Sequence, residues 1–263
     1  MAQVHSMPVQ PPGAACRAAP GRPDHRLHGR VVGYAGFASG TGAPLAHRLL
    51  PINLTALVIS FDGPFGLVTG PRARATVDGP TTWGRGVTVG LTPVGVAELC
   101  GLPMSELAGL SVDWRDVLGP RIGPLAERLA AAPSWPARFA LLDAALLARL
   151  GPDAPGGVVG AAWQALQGPR IGVGALAERL GVGRRTLEVG FRREIGLSPA
   201  TVARVSRLQR AFGLLGQGAA LARAAAGAGY ADQPHFTRET RAMVGLTPAQ
   251  LCAFVQYRPL TAA

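Results

Sequence analysis

The feature that most constrains this chain is a pattern that occurs twice, 49 residues apart. Gly196-Leu197-Ser198-Pro199 returns as Gly245-Leu246-Thr247-Pro248, and Leu187 maps onto Phe236 at the same offset. Each tetrapeptide reads as a glycine closing one helix, Ser or Thr as the N-cap of the next, and proline at its first helical position. Ahead of the first copy, Ala177, Gly181 and Leu187 have the spacing of a helix-turn-helix. Such a motif needs a small residue where its helices cross, a flexible one at the turn and a large apolar one to lock helix two onto helix one. Leu176, Leu180, Leu187 and Phe191 supply its core. The second copy predicts a helix from Leu221 to Ala226, a turn at Gly229 and a helix from Asp232 to Val244. Between the copies, Val202, Val205, Leu208, Phe212 and Leu215 recur at steps of three and four, the pattern of an amphipathic helix holding the two units at a fixed separation.

What the core leaves outside is chemically one-sided. Arg184, Arg185, Glu188 and Arg192 remain on the outer face of the first unit's second helix, and a basic stripe of that kind enters a DNA major groove. A solvated Arg/Glu face is the plainer meaning of the same residues. Charge distribution favours DNA: residues 170–263 hold 13 Arg against 5 acids, whereas residues 1–169 hold 13 Arg against 10. Most of the net charge of +11 therefore lies with the repeated motif, as phosphate binding requires. No lysine occurs, so every basic side chain is a guanidinium suited to bidentate phosphate and guanine contacts.

With these residues in view, the stretch from about 170 to 256 resembles the DNA-binding domain of the AraC/XylS transcription factors, most specifically through Gly229-Tyr230-Ala231-Asp232-Gln233-Pro234-His235-Phe236-Thr237-Arg238. The resemblance implies two recognition helices in successive major-groove segments on one face of promoter DNA, about 34 Å apart. It implies base contacts from Arg185, Glu188 and Val189 in the first motif and from Gln233, Pro234 and Arg238 in the second. Arg184, Arg192, Arg193, His235 and Arg241 complete the expected DNA-binding set, with Arg192 and Arg193 nearer the phosphates. Three departures stand out: Val189 replaces a frequent arginine, Gly190 puts a poor helix former inside a recognition helix, and Thr240 replaces a frequent Phe. Pro234 fits if Asp232 is the N-cap, because the ring then falls in the first turn.

The rest of the chain reads as an α+β sensor. Residues 1–28 are expected to be a flexible tail, 30–150 a sensor and dimerisation domain, 151–160 a linker, and 161–256 the double helix-turn-helix domain. Short apolar runs at 30–35, 54–61, 65–69, 74–77 and 86–92, separated by Asp-Gly-Pro and Thr-Gly-Pro, predict an antiparallel sheet or barrel. Helices follow from Pro93, with Phe139, Leu142, Leu146 and Leu150 forming a stripe that packs on the sheet or meets a partner helix. Leu49-Leu50-Pro51, Leu91-Thr92-Pro93 and Glu106-Leu107-Ala108-Gly109 resemble the sensor halves of actinobacterial AraC-like regulators. That resemblance implies a cupin-like β-barrel followed by helices that mediate dimerisation, hence a homodimer, a small-molecule effector and RNA polymerase as further partners.

Enzymatic chemistry finds no support. His47 is the only histidine between 30 and 150, too few for a metal-binding cupin, so no metal and no cofactor are expected. Gly33 to Gly40 lacks dinucleotide-loop spacing and reads as a turn. Cys16, Cys100 and Cys252 have no metal-ligand pairing, and no apolar run is long enough to span a membrane. The expectation is a cytoplasmic, sequence-specific transcriptional regulator and not an enzyme. The alternative is a small-molecule carrier with a weakened DNA-binding domain, motivated by Gly190 and Thr240; a DNA-repair protein would need a four-cysteine cluster.

Overall fold

A computed structural model describes residues 3–9, 17–39, 45–62, 66–77, 82–119, 123–150, 156–168, 170–254 and 258–259. Its first half is built on strands: β1 (Ser6–Pro8), β2 (Arg17–Gly21), β3 (Val31–Ala38), β4 (Leu45–Leu49), β5 (Thr55–Ser60), β6 (Gly66–Thr69), β7 (Thr82–Trp83), β8 (Arg85–Leu91) and β9 (Ser111–Asp113), with β10 (Arg258–Pro259) returning from the far end of the sequence. Among the described residues they form two sheets, a seven-stranded one ordered β10-β2-β3-β8-β5-β6-β9 and a three-stranded one ordered β1-β4-β7. All pairings are antiparallel except β10 with β2. Strand β5, Thr-Ala-Leu-Val-Ile-Ser, is buried through its first five residues, as a central strand covered on both faces should be.

Three expectations need correction. The segment expected as a tail contains β1, β2 and a 3-10 turn at His25–Leu27, because Met7, Ala19 and Leu27 find places in the core; residues 10–16 of it lie outside the described residues. The run 74–77 contributes only an isolated bridge, Thr76 to Leu49, rather than a strand. Gly33 and Gly36 lie within β3, not in a turn. A Cβ at Gly36 would sit 2.2 Å from the Trp135 ring and one at Gly21 2.6 Å from the Phe139 ring, so these glycines make room for a helix on the sheet. That helix carries the apolar stripe, and the stripe is used internally: Leu142, Leu146 and Leu150 are buried, and Phe139 stacks on Tyr34 with centroids 5.6 Å apart.

Among the described residues, eleven α-helices accompany the strands: α1 (Pro93–Cys100), α2 (Trp114–Leu118), α3 (Gly123–Ala131), α4 (Trp135–Leu147), α5 (Gly157–Gln167), α6 (Val173–Arg179), α7 (Arg184–Glu194), α8 (Pro199–Gly216), α9 (Leu221–Ala228), α10 (Gln233–Val244) and α11 (Pro248–Phe254). Helix α5 begins inside the stretch expected as a linker, whose residues 151–155 lie outside the described residues. The repeat is realised as local chemistry. Gly196 and Gly245 both adopt positive φ, +81° and +79°. Ser198 accepts a hydrogen bond from the Thr201 amide, Thr247 accepts one from the Gln250 amide, and a proline starts each following helix.

Among the described residues, the two larger hydrophobic cores divide at α8. One runs without interruption from the sheet (Ile59, Val87, Val89) through Trp114, Leu142 and Trp163 to Leu176, Leu187, Phe191 and Val202 of the first helix-turn-helix. The other contains Val205, Leu208, Phe212, Phe236, Met243, Val244 and Leu251, joined by Met7 and Leu50 from the strand-rich half.

Candidate nucleic-acid interface

Helices α6 and α7 meet around Gly181, whose φ of +66° supplies the turn, and Leu187, Gly190 and Phe191 turn inward. Outward lie Arg184, Arg185, Arg192 and Arg193, with Val189 55 % exposed among them. Arg184 is paired one turn on with Glu188, Nε to Oε1 at 3.1 Å, and Arg193 with Glu194 at 2.9 Å. Among the described residues, Arg185 and Arg192 enter no ion pair. Exposed pairs of this kind are worth at most about 1 kcal/mol and yield readily to phosphate.

Helix α10 presents the second face. Asp232 caps it, accepting from the His235 amide at 2.6 Å, so Pro234 falls in the first turn where its missing N–H is harmless. Gln233, Pro234, Arg238 and Arg241 are exposed. His235, expected with the DNA-binding set, is half-buried, edge-on to the Tyr230 ring at 5.3 Å. At the 49-residue offset Val189 corresponds to Arg238 and Arg192 to Arg241, so of these equivalent positions one changes its chemistry and the other keeps an arginine.

The departures have physical reasons. A Cβ on Gly190 would lie 2.7 Å from Cγ2 of Val159, so the glycine is what lets α5 approach α7. Thr240 is fully buried, and its hydroxyl donates to the Phe236 carbonyl at 2.8 Å, which satisfies it within its own helix. Both residues that motivated the carrier alternative are thus fitted to their surroundings.

Glu239 was not singled out from the sequence. Its side chain is 9 % exposed and accepts two hydrogen bonds from Arg207 Nη2, at 2.7 and 3.0 Å, and one from the Tyr230 hydroxyl at 3.1 Å; Arg204 Nε lies 3.6 Å away. Arg207 also lies over the Tyr230 ring, 4.8 Å from its centroid. Burial pulls the Arg207 guanidinium down, but the hydrogen bonds and charge of Glu239 outweigh it and the net shift is upward; burial and the same carboxylate raise the Tyr230 phenol. The cluster fixes α10 against α8. A signal existed: Glu239 is three residues after Phe236 and four before Met243, on the inward stripe of an otherwise basic helix.

The strand-rich half meets the helices through buried polar groups. Gln209, 1 % exposed in mid-α8, accepts from the Val4 amide at 2.7 Å and donates to the carbonyls of Val4 and Pro51 at 3.0 and 2.7 Å. Asn53 donates to Ser206 Oγ at 2.7 Å and its carbonyl accepts from Trp163 Nε1 at 2.8 Å. Next to this joint, a cleft of about 240 Å³ separates the two sheets, lined by His5, Ser6, Phe37, Ser39, His47 and Thr88 among others. Burial, reinforced by Arg72 and His47, lowers the His5 pKa to about 3, and its Nε2 lies 2.6 Å from Thr69 Oγ1. Among the described residues, no three His, Cys, Asp or Glu side chains are grouped to hold a metal, and no helix is long and apolar enough to cross a membrane.

Residues 176–253 match a family described as a helix-turn-helix domain. Solved structures similar to the chain include an AraC-type regulator from Chromobacterium violaceum, 25% identical over 38% of this chain and 92% of that one, TM-score 0.36. A probable AraC family regulator from Rhodopseudomonas palustris CGA009 is 29% identical over 36% and 94%, TM-score 0.33. Wild-type ToxT from Vibrio cholerae, bound to an unsaturated fatty acid, aligns with 97% of this chain and 95% of its own at 8% identity, TM-score 0.46. No curated protein sequence matches the chain.

Proposed function

We propose that the chain is a regulator of the AraC/XylS type that binds promoter DNA sequence-specifically through α7 and α10, a reading supported by the helix-turn-helix match at 176–253 and by the Gly229–Arg238 segment. The observation carrying this reading is the pair of exposed faces at equivalent positions of α7 and α10, Arg185, Val189 and Arg192 on one and Pro234, Arg238 and Arg241 on the other. In direct readout Arg238 suits guanine, Gln233 suits adenine, and Val189 reaches no further than a thymine methyl, so α10 carries the larger share of base discrimination. Arg192 and Arg193, at the far end of α7, hold phosphates.

The cleft between the sheets serves as the effector site in this reading. Its walls carry hydroxyls and imidazoles around an apolar floor, and the neutral His5 offers no positive charge, which favours a small uncharged molecule with hydrogen-bonding groups. Homodimerisation would use the outer groove between α3 and α4, formed by Ala131, Ala132, Pro133, Ala137, Ala140 and Leu141, since the α4 stripe is already buried. RNA polymerase is the partner such a promoter-bound regulator would engage.

The test is a fluorescence titration of full-length protein against a duplex enriched from a random library and against a scrambled duplex, at several salt concentrations. Arg238→Ala and Arg185→Ala should each cost about 1–3 kcal/mol on the enriched duplex and far less on the scrambled one. Arg192→Ala should weaken both alike and lower the salt slope by about one. Equal losses on both duplexes for Arg238→Ala and Arg185→Ala would reduce these side chains to phosphate anchors.

A further inference from the structure

Every α-helix ends with carbonyls that have no partner in the helix itself, and a helix that must be aimed gains from having them held. In both recognition helices the holding groups come from the strand-rich half. At the end of α7, the Arg193 carbonyl accepts from the hydroxyl of Ser105 at 2.5 Å, and a Cβ on the neighbouring Gly196 would lie 2.5 Å from that of Ala108 and 3.1 Å from the Ser105 Cα. At the end of α10, the Val244 carbonyl accepts from Arg48 Nη1 at 3.2 Å and the Met243 carbonyl from the Ala75 amide at 2.8 Å. Shifted by 49 residues, positions 193–196 become 242–245, so one body grips the same last turn of both readers. The cores reinforce this, since the first reader is continuous with the sheet while the second takes Met7 and Leu50 into its own core.

We propose that the strand-rich half is a clamp that fixes the two recognition helices relative to each other, with Ser105 and Arg48 as positioning residues that cap α7 and α10 in trans and so set the half-site spacing the protein accepts. The inference rests on the DNA-binding reading above. One inserted base pair moves the second half-site by about 3.4 Å along the duplex and about 35° around it. Helix α8 packs into the cores of both readers, and the clamp adds an attachment at the end of each recognition helix that opposes its rotation about α8. Neither Ser105 nor Arg48 belongs to the face that meets the bases, so their loss should leave base preference intact and alter geometry alone.

Two measurements on the full chain test this. In the absence of DNA, amide hydrogen exchange of Ser105→Ala should rise around 192–197 and remain unchanged around 241–246, and Arg48→Met should show the converse. Ser105→Thr and Arg48→Lys, which keep a donor, should restore slow exchange. Changes at both sites for either variant, or at neither, would overturn the capping roles independently of DNA. In the second measurement the Ser105→Ala/Arg48→Met protein is titrated against the enriched duplex and derivatives with one base pair inserted or removed between the half-sites. The wild type should prefer the parent spacing, and the double variant should lose at least about fivefold of that preference, the low end of a typical coupling between sites, while still discriminating parent from scrambled sequence. A spacing preference identical in wild type and variant would overturn the clamp with DNA binding intact, whereas a wild-type chain that binds no duplex overturns the DNA-binding reading and the clamp with it.

Discussion

The two helix-turn-helix units share a backbone plan but solve the same packing problem by opposite means. Where the first unit has Gly190 and Phe191, the second has Glu239 and Thr240. In the first, the recognition helix is seated by apolar contact: Phe191 is fully buried, and the absent side chain at 190 admits Val159 of α5. In the second, Phe236, Met243 and Val244 are buried as well, but the two positions in question are polar, with Glu239 gathering Arg207 and Tyr230 while Thr240 bonds its own helix. One backbone geometry is thus reached once by van der Waals fit and once by a charged cluster, and the two should respond differently to the same kinds of damage.

The largest difference is expected at the equivalent pair of core positions. Phe191→Ala removes a fully buried ring from a continuous core and should cost about 4 kcal/mol, whereas Thr240→Ala loses one local hydrogen bond and should cost about 1 kcal/mol. Urea unfolding of the two variants measures this, and similar losses would show that the units are seated alike. Next in size, Glu239→Gln should cost about 2 kcal/mol by leaving Arg207 underpaired, and the Arg207→Met/Glu239→Leu pair should recover much of that, because an apolar replacement removes both desolvated charges. Strict additivity of Arg207→Met and Glu239→Leu in a double-mutant cycle would show that the cluster contributes no coupling. The smallest effect belongs to Gly190→Ala. Helix propensity favours the alanine by about 1 kcal/mol and the collision with Val159 opposes it by about 1–3 kcal/mol, so the net loss should be about 1 kcal/mol. Val159→Ala should be much less harmful in the Gly190→Ala background than in the wild type; a penalty unaffected by residue 190 would mean that α5 and α7 do not meet there.

The parts of this arrangement that were legible in the sequence are those dictated by a few neighbouring residues. The glycine, Ser/Thr and proline signals at 196–199 and 245–248 fix helix ends through local torsion and capping, and they survive in the structure as read. The central strand β5 was equally plain because its burial on both faces needs an unbroken apolar run. Strands β1, β2 and β4 were hidden because Pro8, Pro20 and the short alternation around His47 give little periodic signal, and their pairing depends on partners tens of residues away. In the interface the exposed arginines were legible, whereas the seating of α10 was not, because Arg207 and Glu239 belong to helices that only the tertiary fold brings together. Ser105 and Arg48 carried no signal of any kind, since their targets are backbone carbonyls.

The amide of Gln209 meets both the N–H and the C=O of Val4, which is what the backbone of a neighbouring strand would do. A single side chain on α8 therefore behaves as a one-residue edge strand, and edge pairing of that kind fixes phase as well as position. Successive residues of an extended chain face opposite ways, so the bond that holds Val4 against the helix also sets the phase in which His5 and Ser6 follow along the cleft. A slip by one residue would exchange the two faces. The helix that spaces the two helix-turn-helix units is at the same time the register stop for the strand that walls the cleft.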